Sequence, residues 1–291
     1  MNYIIMCDTD SDLPLELKEK YDIPVVQMPY IINGEEFYAD LGKTYDLPAF
    51  YNKMRSGEVP VTASLSTPSY IEYFEPVLKE GKDILFIAFS HQLSSTIHNI
   101  FEAREELLAK YPGRWIEVVD TLTISLPETL LILKAHEMYR GGASIDEVVR
   151  WLEDNKLNAQ VFITVDSLVY LKRGGRVSGV QAFMGTVLDL KPVLTINKEG
   201  KIVAIDKTKG RKKALRTIVA NVKENISNAG EQEIIILHAD CENEANNLKK
   251  LVLDEIPEAK TVSIYFIGEV IGAHAGPGTI GVAFMGKQRP H

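Results

Sequence analysis

The sequence predicts an α/β fold organised as two packed α/β domains with a cleft between them. Three observations carry this expectation. Short runs rich in β-branched and aromatic residues alternate with segments of helical periodicity, the pattern of α/β architecture. The 291 residues exceed one typical domain and fit two modest ones. A polar stretch, EDNKLNAQ, interrupts the series near residue 160 with strand–helix series on both sides, so the expected domains are residues 1–160 and 161–291.

The first expected strand, YIIMC, runs into CDTDSDLP. There Asp8 closes the strand, and Asp10 or Ser11 is expected to cap a helix begun by Pro14. Asp8, Asp10 and Asp12 alternate, and carboxylates suit magnesium. The run lacks the glycine and distal glutamate of a calcium loop, so capping is preferred and no metal site is assigned. IPVVQMPYII is expected as one strand. In VPVTASLSTPSYIEYF, Thr62, Ser64, Ser66 and Thr67 precede a helix opened by Pro68, a favoured first helical residue. Thr67 is the expected cap. Thr62 and Ser64 are surplus to capping and become site candidates.

The strand DILFIAF leads to a helix over 96–110, where Ile100, Ala103 and Leu107 recur at spacings of three and four. The corner between them, FSHQLSST, groups Ser90, Ser94, Ser95 and Thr96. A helix start presents unpartnered N–H groups and the positive end of the helix dipole, so anions bind there readily. A lone serine such as Ser94 would ordinarily be a cap. Four hydroxyls exceed that need. WIEVVD, helices over 127–140 and 144–155, and QVFITV continue the series.

YLKRGGRVSG ends a short helix at Gly174–Gly175 and gathers Lys172, Arg173 and Arg176. The guanidinium fork suits planar anions, although a basic surface loop has the same spacing. The following VSGVQAFMGTVLDLKPVL is apolar, with Gly179, Ala182, Gly185 and Thr186 near one helical face. Tight helix packing and a groove wall for an alkyl chain, flanked by Phe183, Met184 and Leu188, both fit it. PVLTI, KIVAID, EIIILHA, TVSIYFI and TIGVAFM supply further strands, with helices over 211–226 and 241–255. KGRKKALRT opens the first of these helices; its Arg211 is a candidate for a phosphate or a partner protein, beside the plainer reading of a solvated basic face. His274, one of six histidines, falls in IGAHAGPGTIG, which reads as a glycine-dense turn between two strands.

TDSD near the start, TAS before a helix, LSST after a strand, LKRGGRVSG at 171–179 and HAGPGTIG at 274–281 occur in an order that resembles the DegV family. The resemblance covers essentially the whole chain, and its last two pieces are the most specific. It implies a two-domain α/β protein that binds a long-chain fatty acid in a tunnel between the domains. It further implies, as in some members, the acyl-carrying subunit of a bacterial fatty acid kinase, in which a separate ATP-dependent kinase subunit phosphorylates the bound carboxylate. On this resemblance the carboxylate meets Thr62, Ser64, Ser94 and Ser95. Arg176 and His274 face the phosphate or the partner; with the resemblance in hand, Arg211 stays a candidate beside them, and Phe183, Met184 and Leu188 stay candidates for lining the acyl chain. Two departures matter. Ser95 stands in the glycine slot of the family's leucine-serine-glycine-threonine, where its Cβ crowds a close approach or its hydroxyl adds a donor. The family's threonine-serine pair reads Ala63–Ser64 with Thr62 one place earlier, so Thr62 and Ser64 are equal candidates.

Composition narrows the function classes. A net charge of −8 argues against nucleic acid as the main partner. Cys7 and Cys241, the only cysteines, point to a reducing compartment. No apolar run reaches the roughly 18 residues of a membrane span, and MNYIIMCDTDSD lacks a signal peptide's charged start. A cytoplasmic protein without stable membrane insertion is expected. A stand-alone serine-dependent acyl hydrolase or transferase finds no G-x-S-x-G elbow, and His98 and His274 are its only plausible bases. A stand-alone kinase finds no P-loop. A lipid sensor without phosphoryl transfer is unopposed. Burying an alkyl chain is worth roughly 0.8 kcal/mol per CH₂, so about sixteen carbons offer on the order of 10 kcal/mol before association costs. The expectation is therefore a lipid carrier rather than an enzyme, with the fatty acid as ligand and no cofactor.

Overall fold

A computed structural model describes residues 2–181 and 190–289. Its first sheet is parallel, in the order β2-β1-β6-β7, from β1 (Tyr3–Asp8), β2 (Val25–Val26), β6 (Asp83–Ala88) and β7 (Ile116–Asp120). Strands buried on both faces need apolar residues at every position, which is why these runs are continuous rather than alternating. Tyr3, Ile5, Cys7, Leu85 and Ile87 pack beneath α5 (Ser125–Arg140) and α6 (Ile145–Asn155). Met6, Ile84 and Phe86 face α3 (Thr67–Lys79) and α4 (Thr96–Lys110), meeting Tyr70, Phe74, Ile100 and Leu107.

The second sheet runs β10-β9-β8-β13-β11-β12 and is antiparallel except between β11 and β12. It comprises β8 (Ala159–Thr164), β9 (Leu190–Ile196), β10 (Ile202–Lys209), β11 (Glu233–His238), β12 (Thr261–Phe266) and β13 (Ile280–Met285). The period of two divides its faces. Phe162, Ile234, Ile236, Val282 and Phe284 lie under α8 (Arg211–Asn225) and α9 (Glu242–Glu255). Val161, Ile163, Ile235 and Leu237 point the other way, into the same core as α3 and α4. That inward face is the one that meets the first half of the chain.

A small antiparallel sheet, β4-β3-β5, closes the space between them: β3 (Pro29–Ile32), β4 (Glu35–Tyr38) and β5 (Val61–Thr62). Asn33 and Gly34, at φ 54° and 80°, make the tight turn of its hairpin. Three short helices complete the frame: α1 (Leu15–Tyr21), α2 (Leu47–Arg55) and α7 (Val169–Arg173). A fourth, α10 (Glu269–Ala275), lies against β5 and α7.

The α/β class stands, and several local expectations change. IPVVQMPYII is two strands in two different sheets, broken where Met28 N–H donates to Thr9 Oγ1 at 3.0 Å. Ser66, not Thr67, caps α3, accepting from Ser69 N–H; the Thr67 hydroxyl donates instead to Glu102 at 2.7 Å. Neither Asp10 nor Ser11 caps α1, which starts at Pro14 without a side-chain cap. Asp8 caps a 3-10 turn over Thr9–Ser11, accepting from Asp10 N–H at 3.0 Å. Ser95 occupies the N-cap position of α4 without a side-chain bond, while Ser94 Oγ accepts from Thr96 N–H. His274 sits not in a turn but in the last turn of α10.

Candidate functional site

A narrow passage runs between the inner face of the second sheet and the first half of the chain. Its cavity volume is about 130 Å³. Val161, Ile163, Ile202, Leu237, Val270 and Ile271 are typical of its apolar walls.

Polar residues gather along it. Thr62, Ser64, Ser94, Arg176 and His274, all singled out by sequence, line this one passage although they come from four separate segments. β5 pairs Thr62 with Tyr30, and that pairing brings the hydroxyl to α10. Thr62 Oγ1 and His274 Nε2 are hydrogen-bonded at 2.8 Å. The ring is held from behind by Gly174. A Cβ there would lie 2.8 Å from His274 Cε1 and closer still to Nδ1, so only glycine leaves the imidazole room. Burial, with the nearby Arg176 charge, pushes His274 down to about 4, and the ring is neutral at physiological pH.

Arg176 is half-buried, and burial lowers it from its ordinary value. Its Nε donates to the Leu93 carbonyl at 2.9 Å and Nη1 to the Gly174 carbonyl, which ties the basic glycine loop to the serine corner. Ser94 Oγ donates to Thr96 Oγ1 at 2.8 Å. Ser64 is exposed at the mouth. Ser95 faces a neighbouring polar recess instead, with His91, Gln92, His98, Gly175 and Ser178; Ser94 and Arg176 belong to both spaces.

Arg211 stands apart from this group. It pairs with Glu244 at 2.9 Å and donates to the Gly278 carbonyl, so it pins α8 to α9 and to the turn before β13. Its side chain is only 18% exposed, and the expected free basic group is a structural tie. Phe183, Met184 and Leu188 lie outside the described residues, as do Ala182, Gly185 and Thr186. Gly179 is described: a Cβ there would meet Val203 Cγ1 at 2.9 Å, so it serves close packing against β10.

Sequence reasoning missed the rest of the acidic turn. Asp10 lines the passage, and Ser125 beside it donates to the buried Asp12. Asp12 also accepts from Gly268 N–H at 2.8 Å, joining the first turn of the chain to the start of α10. Burial pushes Asp12 up to about 7, offset by these donors. Among the described residues no group of three or more His, Cys, Asp or Glu is placed to hold a metal ion, and no helix is long and apolar enough to cross a membrane.

Comparison with known proteins places this geometry. The model of the DegV family matches residues 3–287. A DegV domain-containing protein of Clostridium perfringens is 39% identical over 99% of this chain and 98% of its own. A DegV family protein from Thermus thermophilus, whose structure concerns fatty acid binding, superposes with a TM-score of 0.87 at 30% identity, covering 98% of this chain and 100% of that one. A stearic acid-binding protein from Eubacterium ventriosum superposes with a TM-score of 0.87 at 26% identity over 98% of both chains.

Proposed function

Because this chain belongs to the DegV family, we propose that it binds a long-chain fatty acid in the passage and presents the carboxylate for phosphorylation by a separate kinase subunit. One observation carries the reading: a mainly apolar passage shares its lining with Thr62, Ser64, Ser94, Arg176 and His274. Sources of affinity and of orientation are thus separate. The tail supplies most of the binding free energy, at roughly 0.8 kcal/mol per buried CH₂. The head contacts decide which end is presented, at about 1.5–3 kcal/mol for a hydrogen bond to a charged group.

The neutral His274 holds Thr62 in place, and Arg176 provides the positive charge for the carboxylate. The polar recess shared by Ser94 and Arg176, with His91, Ser95 and His98, is where the transferred phosphoryl group arrives. ATP and its metal come with the partner. In this reading residues 1–160 supply the hydroxyls of the head-group site, residues 161–291 cover the acyl chain and add Arg176 and His274 to that site, and the protein works in the cytoplasm as a carrier.

Native mass spectrometry of the purified protein tests this. A co-purified ligand with the mass of a long-chain fatty acid is expected, exchangeable for added stearate. Delipidated protein that takes up no long-chain acid refutes the reading. Turnover of acyl esters by the protein alone would replace it with a hydrolase.

A further inference from the structure

Among the described residues lining the passage, two side chains have a buried polar atom without a hydrogen-bond partner: Asp10, at Oδ1, and His274, at Nδ1. The histidine nitrogen is closed off by Gly174, which leaves no room for a ligand atom. Asp10 is different. It is 4% exposed, and its neighbours hold the backbone without help from its carboxyl. Asp10 N–H donates to Asp8, Ser11 Oγ donates to the Asp8 carbonyl at 2.7 Å, and Thr129 Oγ1 donates to the Ser11 carbonyl at 2.8 Å. Thr9 receives Met28 N–H. The other hydroxyls nearby are committed, Ser125 to Asp12 and Ser94 to Thr96. The fold therefore sets a buried carboxyl on the wall of an otherwise largely apolar passage and, among the described residues, leaves its Oδ1 without a partner.

We propose that Asp10 reads a hydroxyl on the acyl chain, so that the preferred ligand is a hydroxylated long-chain fatty acid. This rests on the fatty-acid reading and adds the substrate class. A buried polar group left unpaired is costly, and a site built to bond a hydroxyl discriminates strongly against the analogue that lacks it. Burial, with Asp8 and Asp12 close by, holds Asp10 well above the ordinary carboxyl range, Arg176 opposing. A hydroxyl suits either protonation state, accepting from the neutral acid or donating to the carboxylate.

The test compares stearate with two hydroxystearates, one with its hydroxyl next to the carboxyl and one with it mid-chain, on delipidated wild type, Asp10→Asn and Asp10→Leu. Wild type is expected to bind one hydroxystearate at least about tenfold more tightly than stearate. Asp10→Asn keeps part of that preference, and Asp10→Leu reverses it in favour of stearate. Because Asp10 Oδ1 has no hydrogen-bond partner among the described residues, circular dichroism of both variants should match wild type. Tight stearate binding with no hydroxyl preference overturns this inference alone, as does a preference that survives in Asp10→Leu. Failure of wild type to bind all three acids overturns the fatty-acid reading with it.

Discussion

Replacing Gly174 by alanine adds one methyl group, and the site's geometry gives its consequence. Gly174 has φ −75° and ψ −6°, which alanine adopts freely. Alanine should therefore stabilise here by about 0.4–1 kcal/mol through the unfolded chain, were there space. There is none. The new Cβ would stand 2.8 Å from His274 Cε1 and 3.1 Å from Cγ, inside van der Waals contact with ring atoms that cannot bend away. The imidazole must swing off Thr62, and the 2.8 Å bond between them is lost. Overpacking costs roughly 1–3 kcal/mol. Two part-buried polar groups left unpaired add about 1 kcal/mol or more. The cost outweighs the entropic gain, and a net destabilisation of about 2–4 kcal/mol is expected from urea unfolding. The imidazole nitrogen resonances of His274 report the displacement directly. A Gly174→Ala protein as stable as wild type, with unmoved His274 nitrogen resonances, refutes the claim that this glycine shapes the head-group site.

Three further outcomes are expected. Ser94→Ala should weaken fatty acid binding by about tenfold or less, while phosphorylation by a kinase subunit falls much further; equal phosphorylation rates would remove Ser94 from the head group. Arg211→Ala should lower stability by about 1 kcal/mol through the lost Glu244 pair, discounted because Glu244 is 40% exposed, and leave ligand binding unchanged by calorimetry. Glu269 is 1% exposed with Oε1 unpartnered, and burial raises it to about 7. A carboxyl raised in the folded state favours folding at low pH, and that advantage fades as pH rises through about 7. Glu269→Gln should therefore gain stability over wild type between about pH 4.5 and 7, by on the order of 2 kcal/mol; parallel stability curves would show that Glu269 does not titrate in this window.

The sheets were legible because their strands are buried. DILFIAF and EIIILHA leave no other reading once bounded by polar residues. β4 and β5 were not, since both are short and exposed, yet Asn33–Gly34 is a hairpin signal that would have found β4. β5 matters more, because its pairing with β3 is what carries Thr62 to His274. α10 hid behind its glycines: Gly272 lies inside the helix because a Cβ would meet the Tyr51 ring, at 2.9 Å from Cζ. That is a packing requirement with no local signature. The hydroxyl corners stood out as clusters, but which hydroxyl caps and which faces the passage turns on a shift of one residue. Pattern did not resolve Ser94 from Ser95, or Ser66 from Thr67. Asp10 was visible only as part of an acidic run. That its side chain enters the passage follows from the 3-10 turn being gripped from both sides, by Met28 and Thr129.

The head-group site is sparing with charge, and this bears on turnover. His274 is held neutral, and Asp10 lies across the same passage from Arg176. A fatty acid brings one negative charge, whereas an acyl phosphate brings more. A site of several lysines and arginines would grip the phosphorylated product harder than the acid and retain it. In the proposed site hydroxyls outnumber charges, and hydroxyls stabilise an anion without a large long-range field. On the fatty-acid reading, the extra charge of the product therefore gains little from the passage itself. In the proposed function it is received instead in the outer recess, beside the exposed His91 and His98, where solvent and a partner can reach it. If that proposal holds, the tail sets residence time for acid and product alike, and exchange with a kinase subunit depends on how readily the apolar walls release it.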